Sequence, residues 1–347
     1  MTHAPIQSMM VGSMPYQTPE EAIAIIKQHP PTIPTFPQLP KRSFKEGMVS
    51  QYSEGFPGIA INENDKKIWV RKDEELLNLM AEFYEQFLAG DIASFTISPE
   101  FGAGIPHFLD LINESQGKVP VAKAQATGPF TFGLGLNDQD GKAVWFDPQY
   151  RDIVVKGITA KAKWLVSQME PHAEKIMICL DEPILSALGT AAYLSIKDED
   201  VVAHLDEVTA ELHAAGATVG VHCCGNMDWG LLSKTTIDFI SFDAYFYGQR
   251  LALYPKEINS FLERGGTLAW GIVPTAELEK IHSETPEGLL QKMNSLMDEF
   301  KRKGIDEDMA RKQMIITPSC GLGFLPPDDA ETVLRLMEGL TGLVNED

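Results

Sequence analysis

Short apolar runs alternate along the chain with longer stretches in which apolar residues recur at helical spacing. The short runs lie at 9–13, 32–36, 93–98, 121–127, 175–180, 218–223, 239–245, 267–272 and 314–317, and they predict buried strands. The amphipathic stretches at 19–28, 74–88, 150–169, 201–215, 286–303 and 329–340 predict helices between most of them. Strand followed by helix, repeated, implies a parallel sheet. Nine candidate strands are one too many for an eight-stranded barrel, and the proline-rich 32–36 is the one assigned to a loop or insertion. The expectation is therefore a single α/β domain over 1–347, a (β/α)8 TIM barrel. Residues 30–70, rich in Pro, Gly and aromatics, form a lid-like insertion after the first βα unit, with a plain surface loop as the alternative. A doubly wound open sheet is the competing architecture, but no Gly-x-Gly-x-x-Gly follows the first strand.

The polar residues that interrupt this pattern gather at the C-terminal ends of candidate strands: Ser13, Glu100, Thr127, Asp181, Glu182, His222, Cys224, Asp243 and Cys320. In a barrel such positions face one mouth, where active sites are built. Within that set, His222-Cys223-Cys224 carries the most specific chemistry. His222 and Cys224 stand two apart, so in an extended segment both side chains leave the same face. Cys320, in Ser319-Cys320-Gly321 after the run 314–316, offers a third ligand from another strand end. Imidazole with thiolates selects zinc, and three strong ligands with one exchangeable position describe a catalytic site. The alternative is that these cysteines are small core hydrophobes, as Cys179 and the outward-pointing Cys223 are expected to be. His107 and His172 are read as surface or structural histidines.

Composition narrows the partners. The 347 residues carry a formal charge of −20, which argues against nucleic acid or an anionic membrane surface as a partner. Four cysteines without a disulfide-framework spacing suit a reducing, cytoplasmic setting. Residues 1–10 hold no basic stretch leading into an apolar run, and no stretch is long and apolar enough to span a bilayer.

Several motifs carry a resemblance. Val11-Gly12-Ser13-Met14-Pro15 resembles the Ile-Gly-Ser-x-Pro opening of the catalytic barrel of cobalamin-independent methionine synthases. Thr127-Gly128-Pro129, Asp181-Glu182-Pro183, the His222/Cys224 pair and Pro318-x-Cys320-Gly321-Leu322 recur in the same order in that family. The string His222-x-Cys224-Gly225-Asn226 is closer still to methylcobamide:thiol methyltransferases, whose barrels resemble uroporphyrinogen decarboxylase.

The resemblance implies a zinc-dependent transfer of a methyl group to a small thiol, which zinc holds as the thiolate. It implies His222, Cys224 and Cys320 as zinc ligands, with Asp243 where the methionine synthases carry a glutamate ligand. Asp243 has two further readings, as a partner for His222 and as a capping aspartate. The resemblance also implies Asp181 as the contact for the homocysteine amino group and Gly12 with Ser13 as the cradle for its carboxylate. Glu100 is a candidate second acidic contact with no counterpart in the family. The chain has room for one barrel, whereas the methionine synthases use a second to hold a polyglutamylated folate. A methylcorrinoid donor, free or on a partner protein, is therefore expected ahead of methyltetrahydrofolate. Homocysteine leads among acceptors, with coenzyme M behind it. The alternatives are a porphyrinogen decarboxylase, disfavoured because residues 1–28 contain Lys27 as their one Lys or Arg, and a non-catalytic zinc- or corrinoid-binding protein.

Overall fold

The computed structural model describes residues 5–115 and 117–346. Residues 1–4, 116 and 347 lie outside the described residues, and with them the outermost ends of the expected domain and the start of the segment searched for a leader. Among the described residues the strands are β1 Gln7–Ser8, β2 Ile59–Asn62, β3 Lys67–Val70, β4 Val119–Thr127, β5 Asn137–Asp138, β6 Ala173–Asp181, β7 Ala217–Cys223, β8 Phe239–Phe242, β9 Thr267–Val273 and β10 Met314–Pro318. Seven of them form one curled, all-parallel sheet in the order β1-β10-β9-β8-β7-β6-β4. The fold is α/β and TIM-barrel-like.

The curl follows from where the apolar side chains go. Met9, Ile33, Met177, Cys179, Phe239, Ala269 and Ile315 form one buried cluster. Partly buried Val121 of the edge strand β4 packs against them, as Met9 does from beside the other edge strand β1, so the sheet wraps around the cluster. The alternate residues of the same strands, such as Ile176, Ile178, Val219, Val221, Ile240, Leu268 and Ile316, join the larger cluster under the helices. Burial on both faces explains why the strands read as continuous apolar runs rather than as alternations.

The assignment of 32–36 to a loop or insertion is corrected. Ile33 bridges Met9 and Thr35 bridges Lys123, both in parallel sense, so this segment lies between the two edges of the sheet. Ile33 N donates to Ser8 O (2.9 Å), Lys123 N to Pro34 O (2.9 Å) and Phe36 N to Lys123 O (3.2 Å). Pro31, Pro34 and Pro37 have no N–H, which limits the segment to isolated bridges in place of a regular ladder. The surplus candidate is 93–98, because Ile92–Phe95 is a 3-10 turn.

Side chains complete what the prolines leave open. Lys123, fully buried on β4, donates from Nζ to Met10 O (3.2 Å), to Val11 O and to Gln125 Oε1 (3.4 Å). Gln125 Nε2 in turn donates to Phe36 O (3.1 Å). One strand thus holds both the β1 exit and the proline-rich segment through an ammonium and an amide. Burial depresses the Lys123 pKa.

Three of the main helices start with one device, a capping residue followed by proline. Thr18-Pro19, Asp147-Pro148 and Thr285-Pro286 open Pro19–Gln28, Pro148–Met169 and Pro286–Lys303. In each, the Thr or Asp side chain accepts a first-turn N–H and proline occupies a position whose N–H has no helical partner. Each cap is worth about 1 kcal/mol. This agreement of cap and pattern is why the predicted bounds 19–28 and 286–303 match the structure.

The 30–70 region is ordered, and part of it lies against the C-terminal end of β4. Tyr52 OH donates to Gln125 O, and Thr127 Oγ1 donates to Met48 O (2.6 Å). Buried Glu46 accepts Leu39 N (3.2 Å) and pairs with Arg42. Further on, β2 and β3 form a hairpin that joins β5 in a small separate sheet. No helix among the described residues is long and apolar enough to cross a membrane.

Candidate metal centre

β6, β7 and β8 run side by side, with Asp181 opposite His222 and His222 opposite Ser241. Alternation along β7 sends Val219, Val221 and Cys223 into the outer core and leaves His222 on the inner face. His222 is 3% exposed. Cys224 follows directly after the strand, and Cys320 follows β10, whose pairing with β9 shifts register between Thr317 and Pro318. Such an irregularity re-aims the residues after it. The result is that an imidazole nitrogen of His222 and the sulfurs of Cys224 and Cys320 lie within 4.8 Å of one another.

The Cys320 loop is anchored from both sides. Ser319 N donates to Val273 O (2.8 Å), and Thr275 N donates to Ser319 Oγ (3.2 Å). From the other side Leu322 N donates to Ser13 O (2.8 Å) and Gly323 N to Ser13 Oγ (3.2 Å). A Cβ on Gly321 would stand 2.1 Å from Ser13 Oγ, so a side chain there would displace the hydroxyl that accepts Gly323 N. Gly12 meets a stricter limit, with φ of 142° and the Gln125 amide 2.3 Å from where its Cβ would be. Gly12-Ser13 and Cys320-Gly321 are therefore one packed unit, although about three hundred residues separate them in sequence.

The residues suit a thiophilic cation. His222 Nδ1 is engaged with Ser241 Oγ (2.9 Å), while His222 Nε2 is buried without a hydrogen-bond partner among the described residues. An orphaned imidazole nitrogen beside two sulfurs is costly unless a ligand takes its place. The adjacent Cys320 thiol, and after it the nearby His222 ring, hold the Cys224 thiol below its ordinary range against the opposing effect of burial, and the neighbouring Cys224 together with burial pushes Cys320 up. By contrast, burial pushes Cys223 up to about 12, which leaves it an inert thiol.

Asp181 is buried at the end of β6, and its Oδ1 has no hydrogen-bond partner among the described residues. Burial pushes its carboxyl up to about 6, against the pull of His222 and Lys123. Asp243 stands outside the three-residue cluster. Its Oδ1 accepts Phe246 N (2.8 Å) at the start of Ala244–Leu251, which is the capping role, and the partner of His222 Nδ1 is Ser241 rather than Asp243. Burial pushes the Asp243 carboxyl up to about 7. Glu100 is not brought to the cluster at all. It is a surface residue paired with Lys45, and the segment it sits in is a turn rather than a strand end. His107 lies at the surface against Glu20 (3.1 Å).

Glu182 explains two motifs in structural terms. Its buried carboxylate accepts Phe130 N (2.8 Å), Thr131 N (2.7 Å) and Thr131 Oγ1 (2.7 Å), tying the end of β6 to the first turn of the helix Pro129–Gly135 that follows β4. A Cβ on Gly128 would fall 2.3 Å from that carboxylate, so Gly128 and Glu182 imply each other. Burial pushes the Glu182 carboxyl up to about 7 from 4.5. A carboxyl raised by folding favours the native state most below its unfolded pKa, and that contribution is lost as pH climbs through about 7. The melting temperature of the wild type is therefore expected to fall more steeply between roughly pH 5 and 8 than that of Glu182→Gln, measured by circular dichroism. Parallel curves would contradict this role.

Sequence reading passed over Ser241, Lys123 and Gln125. The signal for the last two was present: Lys123, Gln125 and Thr127 alternate on one face of β4, a polar face that a barrel turns inward.

Comparison with known proteins gives fold-level likeness. The chain resembles a B12-independent methionine synthase from Shewanella sp. W3-18-1, solved in complex with selenomethionine, with a TM-score of 0.59 and 14% identity over 99% of this chain and 98% of that one. It also resembles a methyltransferase from Methanosarcina mazei, with a TM-score of 0.50 and 12% identity over 97% of this chain and 94% of that one. No protein-family model and no curated protein matches by sequence. The fold shared with these two structures is a TIM-barrel-like α/β fold that spans essentially the whole of each chain.

Proposed function

We propose that this chain is a zinc-dependent methyltransferase that acts on a small thiol, homocysteine first, within a (β/α)8 barrel whose mouth is partly covered by the 30–70 insertion. The observation that carries the reading is the cluster of His222, Cys224 and Cys320 with an unpartnered, buried imidazole nitrogen. Its likeness in fold to a methionine synthase and a methyltransferase supports the reaction class.

His222 Nε2 and the sulfurs of Cys224 and Cys320 would hold the ion, leaving a fourth position for the substrate sulfur. Zinc, when bound, supplies the Lewis acidity that keeps a coordinated thiol deprotonated near neutral pH. Asp181, with an oxygen that no group among the described residues satisfies, receives the substrate ammonium and is held as the carboxylate by it. Ser13 accepts Gly323 N but keeps its own hydroxyl proton, which it donates to the substrate carboxylate. Asp243 caps its helix, and its carboxylate would be the oxygen ligand available to the ion in the absence of a thiol. The methyl group comes from a methylcorrinoid, free or on a partner protein, in preference to methyltetrahydrofolate.

Asp181 separates the candidate acceptors. Asp181→Asn is expected to raise KM for homocysteine roughly 10- to 100-fold, the worth of a charge-assisted hydrogen bond, and to leave a thiol without an ammonium group, such as coenzyme M, almost unaffected. Equal losses on both thiols would remove the ammonium contact. No turnover of any thiol with methylcobalamin or methyltetrahydrofolate would overturn the methyltransferase reading.

A further inference from the structure

We infer that Ser241 is a positioning residue for the proposed metal centre: its buried hydroxyl, 2.9 Å from His222 Nδ1, sets which imidazole nitrogen faces Cys224 and Cys320. The inference rests on the zinc reading above. Ser241 lies on β8 directly opposite His222 on β7, and both are almost fully buried, at 2% and 3% exposure. The parallel ladder fixes this pairing, so the hydroxyl reaches Nδ1 without any loop having to order. With Nδ1 engaged there, Nε2 is the nitrogen left without a partner, and it is the one available to an ion.

A metal-binding imidazole usually donates its second N–H to a carboxylate, a backbone carbonyl or water, and the first two only accept. A hydroxyl both accepts and donates. Ser241 therefore accepts Nδ1–H when Nε2 must present its lone pair, and donates to Nδ1 when Nε2 carries the proton toward the sulfurs. Asp243, the carboxylate next along the chain, has an oxygen committed to Phe246 N and does not take this place. The imidazole is oriented in both states without a second fixed negative charge beside two sulfurs.

The test compares two isosteres. Ser241→Thr keeps the hydroxyl and Ser241→Val replaces it with a methyl group of the same shape, so any overpacking is common to both. Zinc affinity is measured by competition with a chromophoric chelator, and cobalt-loaded protein is examined for its thiolate-to-cobalt charge-transfer bands. The expected result is a loss of roughly 10- to 100-fold in affinity for Val, with affinity within a few-fold of wild type for Thr. The cobalt bands are expected to shift for Val and to stay in place for Thr. Equal affinities for Thr and Val, whether both strong or both weak, would overturn the positioning role. Failure of the wild type to bind zinc would instead overturn the zinc reading, and the two failures are thereby distinct.

Discussion

Alanine at His222, Cys224 or Cys320 is expected to reduce zinc from about one ion per chain to less than about a tenth, and to lower thiol methylation at least 10³-fold. The three ligand atoms share a space less than 4.8 Å across, so removal of one leaves two donors, too few for a stable tetrahedral site. Cys223 is the internal control. It has the same chemistry as its neighbour, but the strand turns it into the outer core, where its Sγ lies 3.7 Å from Gly225 O. Cys223→Ala is expected to cost packing energy of about 1–2 kcal/mol while retaining zinc and turnover. Metal analysis and an assay with methylcobalamin decide the matter. If Cys223→Ala loses zinc as completely as Cys224→Ala, the facing argued for this strand is wrong.

The second large effect is on stability. Lys123→Met is expected to lower the free energy of unfolding by about 3 kcal/mol, read from urea titrations. Methionine fills much the same volume, so the loss comes from the acceptors left behind. Met10 O, Val11 O and Gln125 Oε1 all face Lys123 Nζ in a buried space, and each buried unsatisfied acceptor costs about 1–3 kcal/mol. Relief from burying an ammonium offsets part of this sum. The zinc content of the folded variant is expected to be unchanged, because none of the three cluster residues touches Lys123 in the hydrogen-bond network. A Lys123→Met protein as stable as wild type would show that the proline-rich segment closes the sheet edges without this clamp.

Much of the molecule was legible because burial and periodicity act locally. Strands 175–180, 218–223 and 267–272 were placed within a residue or two, since each is apolar on both faces and bounded by turns. Helices 19–28 and 286–303 were placed correctly because their caps announce them. The gathering of His222, Cys224 and Cys320 followed from putting unusual polar residues at strand ends. What escaped was decided by partners far away in sequence. The segment 32–36 looks like a loop because its prolines forbid a ladder, and only the two free edges of the sheet give it a place. Lys123 looks like a defect in an apolar strand until the carbonyls of Met10 and Val11 are brought beside it. Glu100 carries the same charge as Asp181 and sits at the end of an apolar run, but 92–95 folds as a 3-10 turn and leaves the carboxylate with Lys45 at the surface. Asp243 offers three roles on sequence alone, and the N–H of Phe246 is what favours capping.

Zinc K-edge X-ray absorption on the purified protein, before and after addition of homocysteine, reads the proposed centre itself. One nitrogen and two sulfur ligands, from His222, Cys224 and Cys320, are expected, with the gain of one further sulfur when the thiol is added. A protein that takes up no zinc, or zinc whose sulfur coordination does not change with the thiol, would contradict this.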